Sequence, residues 1–274
     1  MDGRCDVTLT AGLWRDGRCE RSVLVDVLDA SSRRTLVDDL HASTPAARVS
    51  ALLAAMTVSI GGVRAPSLDD VRELTIGDRD RIVLALRRAL AGDAMECLCS
   101  CACGELLELE VSIGGLLAHA SAEPAPREVE RSSPGGTVRV RPATGSDHED
   151  AARRALDDPD DAVRALLSRC LVEPHAEDAG GEVLGVVSEL LEELDPGAEI
   201  LLRGTCPACG ADVVAQLDPG AYLWAELEQW RTALELDIHT LASHYHWSEA
   251  EIVALAPRRR ARYVALIDED LVAP

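Results

Sequence analysis

Residues 94–118 read AMECLCSCACGELLELEVSIGGLLA, and residues 201–225 read LLRGTCPACGADVVAQLDPGAYLWA. The first stretch sets Cys97, Cys99, Cys101 and Cys103 at alternate positions and ends the run with Gly104. The second holds only Cys206 and Cys209, followed by Gly210. Laid over each other on the two glycines, they align: Cys103 over Cys209, Val111 over Leu217, Gly114 over Gly220, Leu117 over Leu223. Each stretch also has a helical run and a short strand in front of its cysteines. The repeated unit is helix, strand, cysteine knuckle, strand, Gly-containing turn, helix. Two copies of one such unit are expected to pair about a shared centre.

A C-x-x-C-G knuckle is half of a zinc ribbon, and two knuckles supply four thiolates for a tetrahedral ion. Cys206-Pro207-Ala208-Cys209-Gly210 fits that pattern, whereas in the first stretch Ser100 stands where the first ligand should be. Cys99 and Cys103 have three residues between them, inside the usual ligand spacing, and Cys101 and Cys103 only one, a tight chelate. The expected ligands are therefore Cys99, Cys103, Cys206 and Cys209, with Cys101 as the substitute in the first knuckle, holding a structural Zn2+. Four thiolates leave no open position for catalysis. The competing reading is a set of buried free thiols left by a degenerate site.

Working outward, 274 residues give room for one large domain or two modest ones. At 47% hydrophobic and 27% charged the balance is that of a globular chain. Phe is absent and aromatics are 3%, so the core must be built from Leu, Val, Ala and Ile. A net charge of -21 repels phosphate backbones and anionic membranes and favours basic partners, so neither nucleic acid nor membrane is expected as a partner. The start, MDGRCDVTLT, lacks the apolar stretch of a secretory signal, and the longest apolar run, around Ala51–Ile60, is too short to span a bilayer. A cytoplasmic location is the expectation, and nine cysteines in a reducing compartment point to metal or free thiols rather than disulfides.

The fold class expected is α+β, mainly helical. DVTLTAGLW and ERSVLVDVL flank Asp16-Gly17 as a β-hairpin. Thr44-Pro45 starts a helix, Ser67 with Asp70 starts a short one, and TIGDRDRIVLALRRALAGD is an amphipathic helix closed by Gly92. Residues 119–146 read as a linker carrying one short strand, TVRVRP, and 147–195 as helices. Leu223, Leu227, Trp230, Leu234, Ile238 and Leu241 repeat at helical spacing, and Ser248 with Glu251 caps the first of two short C-terminal helices. The segments expected are 1–62, 63–118, 119–146, 147–220 and 221–274.

Other constellations carry less. His239, His244 and His246 lack the i, i+4 spacing of helical metal ligands. The run Arg258–Arg260 reads as a solvated basic face, and Cys170 as a small buried hydrophobe. No P-loop, G-x-S-x-G, dinucleotide fingerprint or H-E-x-x-H is present, so no enzyme class is indicated.

Three stretches in order, LTIGDRDRIVLALRRALAGD, VRPATGSDHEDAA with LLSRC, and CPACG through LDPGAYLWAEL to IHTLASHYHWSEAEIVALAPRRRARYVALI, resemble the T4-type baseplate hub assembly chaperones of contractile phage tails and tail-derived contractile injection systems. The tail YHWSEAEIVAL with RRRARY carries the resemblance most specifically, and the first knuckle departs from it at Ser100. The resemblance implies a non-enzymatic assembly chaperone or minor component acting on baseplate or hub proteins. The C-terminal helices are the expected client surface, with Trp247, Arg258, Arg259, Arg260 and Tyr263 as anchors. Two other readings stay open: a zinc-ribbon adaptor for nucleic acid or transcription machinery, and a thiol-redox protein using Cys206 and Cys209.

Overall fold

The structure is a computed structural model that describes residues 4–27, 30–40, 43–118, 123–133, 136–174 and 181–272. The chain opens with β1 (Arg4–Arg15), β2 (Arg18–Asp26), α1 (Ala30–Leu40), α2 (Pro45–Met56), β3 (Thr57–Ile60) and β4 (Val63–Arg64). Then come α3 (Leu68–Arg72), α4 (Ile76–Ala91), β5 (Ala94–Ser100), β6 (Leu106–Ser112), α5 (Ile113–Leu117), β7 (Val129–Ser133) and β8 (Gly136–Val140). The remainder is α6 (Gly145–Arg154), α7 (Pro159–Cys170), β9 (Leu171–Glu173), α8 (Gly181–Leu194), a single-turn helix Pro196–Ala198, β10 (Ile200–Thr205), β11 (Asp212–Leu217), α9 (Pro219–Tyr245), α10 (Glu249–Ala254) and α11 (Pro257–Val272). It is a mixed α/β protein in which helix predominates over small antiparallel sheets. Two compact units emerge: Met1–Val27 with Ser43–Ala221, and Leu28–Ala42 with Tyr222–Pro274.

In the first unit, β1 and β2 form the expected hairpin, and Asp16 and Gly17 both take positive φ at its turn. Strands β3 and β4 extend this sheet, in the order β1-β2-β3-β4. Helix α4 lies against it and is buried nearly all round. Its first turn carries Asp78, 0% exposed, whose carboxylate accepts the backbone N–H groups of Thr10, Ala11 and Gly12, the last two at 3.0 and 2.7 Å. Those three residues sit where the β1–β2 register shifts, so Asp78 satisfies the donors that the irregularity leaves unpaired. Arg79, 1% exposed, donates to Val71 O at 2.9 Å and Ser50 Oγ at 2.8 Å.

Strands β7, β8 and β9 make a three-stranded sheet; the sequence suggested a single strand in the linker that holds β7 and β8, and helices over 147–195, where β9 lies. Val138, Val140, Cys170, Leu171, Val187, Leu190 and Leu194 form the core between this sheet and helices α7 and α8. Asp147 locks α6 to its neighbours: it accepts from Arg141 at 2.6 and 3.1 Å, from Arg169 Nε at 2.7 Å and from Thr144 N at 3.0 Å. Burial raises its carboxyl, but the two guanidinium groups and the Thr144 N–H hold it far below the usual carboxylate range.

The second unit contains α1, most of α9, α10 and α11. Ser248 and Glu251 form the complete capping box their spacing predicts. Leu241, Ile252 and Ile267 are its buried centre, with Ile238, Tyr245, Trp247, Tyr263 and Val264 packed around them. Arg33 lies over the Trp230 ring, 4.3 Å from its centroid, which ties α1 to α9. Helix α1 escapes the sequence reading because ASSRRTLVDDL has too few apolar positions to show a period.

Candidate metal centre

Two antiparallel hairpins build the site: β5 with β6, and β10 with β11. The β5–β6 hairpin alternates inside and outside residue by residue. Met95, Cys97, Cys99 and Leu107 are buried, whereas Glu96, Leu98, Ser100, Leu106 and Glu108 are exposed. The inward faces of the two hairpins meet in one cluster, Cys99, Cys101, Leu107, Cys206 and Val213, with Leu109 and Ala215 against it. Gly204 permits this approach: a Cβ there would stand 2.9 Å from Leu109 Cδ2.

The two turns close the same way. Cys101 N donates to Glu105 O at 2.8 Å, and Cys206 N to Ala211 O at 2.8 Å. Within each loop, Gly104 N donates to Cys101 O at 2.9 Å, and Gly210 N to Cys206 O at 2.9 Å. Gly104 and Gly210 have φ of 94° and 73°, which residues with a Cβ rarely adopt. The first loop is one residue shorter than the second: C-x-C-G against C-x-x-C-G.

That missing residue corrects the expected ligand set. Cys101, Cys103, Cys206 and Cys209 place their Sγ atoms all within 4.8 Å of one another, close enough to hold a metal ion. Cys101 Sγ lies 3.6 Å from Cys209 Sγ, and Cys103 Sγ 3.7 Å from Cys206 Sγ. An ion held tetrahedrally by sulfur at about 2.3 Å spaces its ligands by about 3.8 Å. Cys99 is not in this group; it lies two residues too early and points into the inter-hairpin core, with Sγ 3.8 Å from Leu107 O. Ser100, between them, faces outward and leaves the site altogether. Alignment on the glycines put Ser100 at the first ligand position; alignment on the residues that close each loop puts Cys101 there.

The thiols share their protons unevenly. Burial pushes Cys206 up, but the N–H groups of Cys209 and Ala208 and the thiols of Cys101 and Cys209 bring it down to about 7. At Cys101 the Cys103 N–H acts to lower the value, yet the Cys103 thiol, burial, and the thiols of Cys209 and Cys206 push it up to about 12. Cys206 ionises readily, while the neighbouring thiols push those of Cys101 and Cys209 up, so a cation that binds there must displace their protons.

The remaining candidates lie elsewhere. His239, His244 and His246 are exposed, and His244 Nδ1 is 3.2 Å from Thr240 O on its own helix. Cys170 is buried in the α7–α8 core, and burial pushes its thiol up to about 12. In the second unit Trp247 stacks on Tyr245 at 4.8 Å between centroids and meets Tyr263 edge-on at 5.0 Å, so both expected anchors pack back onto α9. Arg260 is 6% exposed and bonds Asp237 at 2.8 Å, which removes it from the expected basic surface. Arg258 and Arg259 do face solvent. Among the described residues no helix is long and apolar enough to cross a membrane. Comparison of the chain with protein-family models, with curated proteins and with solved structures finds no match.

Proposed function

We propose that the four thiolates hold a structural zinc ion at a ribbon-like centre formed by two copies of one helix–hairpin unit. The chain around it serves as a non-enzymatic assembly chaperone or minor component for the baseplate hub of a contractile tail or injection system. The observation that carries the metal reading is the meeting of Cys101 and Cys103 with Cys206 and Cys209 from loops closed by the same hydrogen bonds. A two-stranded hairpin is marginal alone in water, and the core shared by these two is small. A structural zinc contributes on the order of ten kcal/mol in small peptides, enough to hold such a pair together. With four sulfurs around it the ion has no open position, which favours a structural over a catalytic role.

The assembly role is supported by the ordered resemblance described above and by the acidic surface, which suits a basic client in the cytoplasm. Two measurements test the reading. Elemental analysis of the purified chain should give one zinc per chain, lost in Cys209→Ser; a metal-free chain with cooperative unfolding would overturn it. Co-expression with tail and baseplate proteins should yield a complex with a hub component. Salt-sensitive binding to DNA or RNA in its place would favour the zinc-ribbon adaptor.

A further inference from the structure

Helices α7 and α8 leave an apolar groove open between them, of about 460 Å³. Their inner faces are spent on the core against β8, where Cys170, Val187, Leu190 and Leu194 are buried. A second apolar row is left over. Val163, Leu166 and Leu167 line the groove from α7 and Leu191 lines it from α8, with Ile76 and Ala143 also in the wall. Val163 is 59% exposed, and Leu166, Leu167 and Leu191 are only partly buried. Residues three and four apart share a helix face, so the α7 residues form one stripe. The volume falls within the range of sites that bury a ligand, about 300–1,000 Å³. Carboxylates stand beside the stripe: Glu192, Asp195 and Glu199 line the same groove, and no arginine does. Asp195 accepts the Gly77 N–H. Arg131 pairs with Glu189 and Glu193 of α8 but not with Glu192. The side chains of Glu192 and Glu199 are exposed and make no hydrogen bond or ion pair among the described residues.

We propose that this groove docks an amphipathic helical segment of a partner protein, whose aliphatic side chains fill it while an arginine or lysine beside them reaches Glu192 and Glu199. Two helix flanks offer no unpaired strand edge, so a helix laid between them is the segment that fits. The cation is required because covering two carboxylates with apolar groups alone would leave buried charges unpaired. A second copy is the poorer occupant. Each chain carries a net charge of -21, and its longest arginine run, Arg258–Arg260, lies on α11, where Tyr263, Val264 and Ile267 are already packed within the second unit. The acidic rim turns away anionic membranes and nucleic acids in the same way. The inference deepens the assembly-factor reading, on which it rests for the existence of a client.

The test uses the full chain and a fluorescein-labelled, alanine-based helical peptide that carries leucines one turn apart with arginines one turn further on. The same peptide with serine for leucine, and with glutamate for arginine, serves as control, and anisotropy is read at physiological salt. The leucine–arginine peptide should bind, and Val163→Arg should weaken it about tenfold or more by blocking the groove and repelling the cations. The melting temperature of that variant should match wild type, because Val163 is mostly exposed. Glu192→Gln with Glu199→Gln should also weaken binding and flatten its salt dependence. The proposal fails if the leucine–arginine peptide does not bind, if the serine–arginine peptide binds as tightly, or if Val163→Arg binds like wild type. It fails equally if wild type self-associates in sedimentation and Val163→Arg does not, for then a second copy covers the groove. Capture of a hub protein by wild type and Val163→Arg alike would sink the groove and leave the assembly reading standing; peptide binding that Val163→Arg weakens, without hub capture, would do the reverse.

Discussion

Replacing Cys101 by serine should abolish metal binding, while Cys99→Ser should leave one ion per chain. The two side chains sit two positions apart on the same side of the hairpin, yet only Cys101 lies within 4.8 Å of the other three sulfurs. Metal content by elemental analysis, with the melting temperature beside it, separates the two roles. A second contrast belongs at this scale. Arg260 is 6% exposed and bonds Asp237, whereas Arg258, two positions earlier, is solvent-facing. Arg260→Ala should cost about 2 kcal/mol, the loss of a charge-assisted bond with its partner left half-buried. Arg258→Ala should stay within about 0.5 kcal/mol. Denaturant midpoints of the two variants decide this, and equal effects would mean that the basic run acts as a single surface.

Between elements, the approach of the two hairpins is closely constrained. A Cβ at position 204 would meet Leu109 Cδ2 at 2.9 Å and Leu107 Cδ2 at 3.7 Å. Gly204→Val should therefore push β10 from β6 and cost about 1–3 kcal/mol, the range for an overpacked core. The same displacement moves Cys206, two residues on, so the variant should release its metal to a chelator faster than wild type does. An unchanged release rate with reduced stability would show that the loops hold the ion independently of strand packing. The C-terminal helices follow the same logic. Helices as short as α10 are marginal in water by themselves; here Ile252, Ile267, Trp247 and Tyr263 pack against Leu241 and Ile238 of α9. Trp247 and Tyr263, expected as binding anchors, are partly buried in this packing, while Arg258 and Arg259 stay exposed.

For the whole molecule, buried carboxylates decide how stability follows pH. Asp195 is 8% exposed and accepts the Gly77 N–H at 2.9 Å. Burial pushes its carboxyl up to about 6, with Asp78 adding to the rise, while the Gly77 N–H and Thr75 oppose it. The unfolded value is about 3.9. The folded chain therefore holds a proton there that the unfolded chain releases. This stabilising contribution is whole below about pH 4 and is lost as pH rises through about 6. Asp147 runs the other way: its depressed value gives a contribution present above about pH 4 and lost only in stronger acid. Asp195→Asn keeps an acceptor for Gly77 and removes the titration. The stability difference between wild type and this variant should shift in the variant's favour between about pH 4 and 7 and then level off. A pH-independent difference would mean that Asp195 does not hold a proton in the fold.

What the amino-acid sequence determined by itself was local. Asp16-Gly17 makes a hairpin turn because both residues tolerate positive φ. Thr44, Ser67 and Ser248 start helices because a side-chain oxygen satisfies N–H groups within three residues, and period-two alternation makes β5 a strand with cysteines inside. Strands β3, β7 and β9 were missed because short strands are specified by the neighbours they pair with, not by their own pattern. The amphipathic pattern of α4 shows only its apolar face, yet Asp78 and Arg79 are buried as well, because distant backbone groups need them. The candidate metal centre divides the same way. The two cysteine loops were visible as a pair, and so was their ligand chemistry. Which thiol of the alternating run joins them was decided by where the first loop closes and by the meeting of two hairpins whose paired cysteines stand 108 and 103 positions apart. No local spacing records a contact across that distance, so only the tertiary structure chooses Cys101 over Cys99.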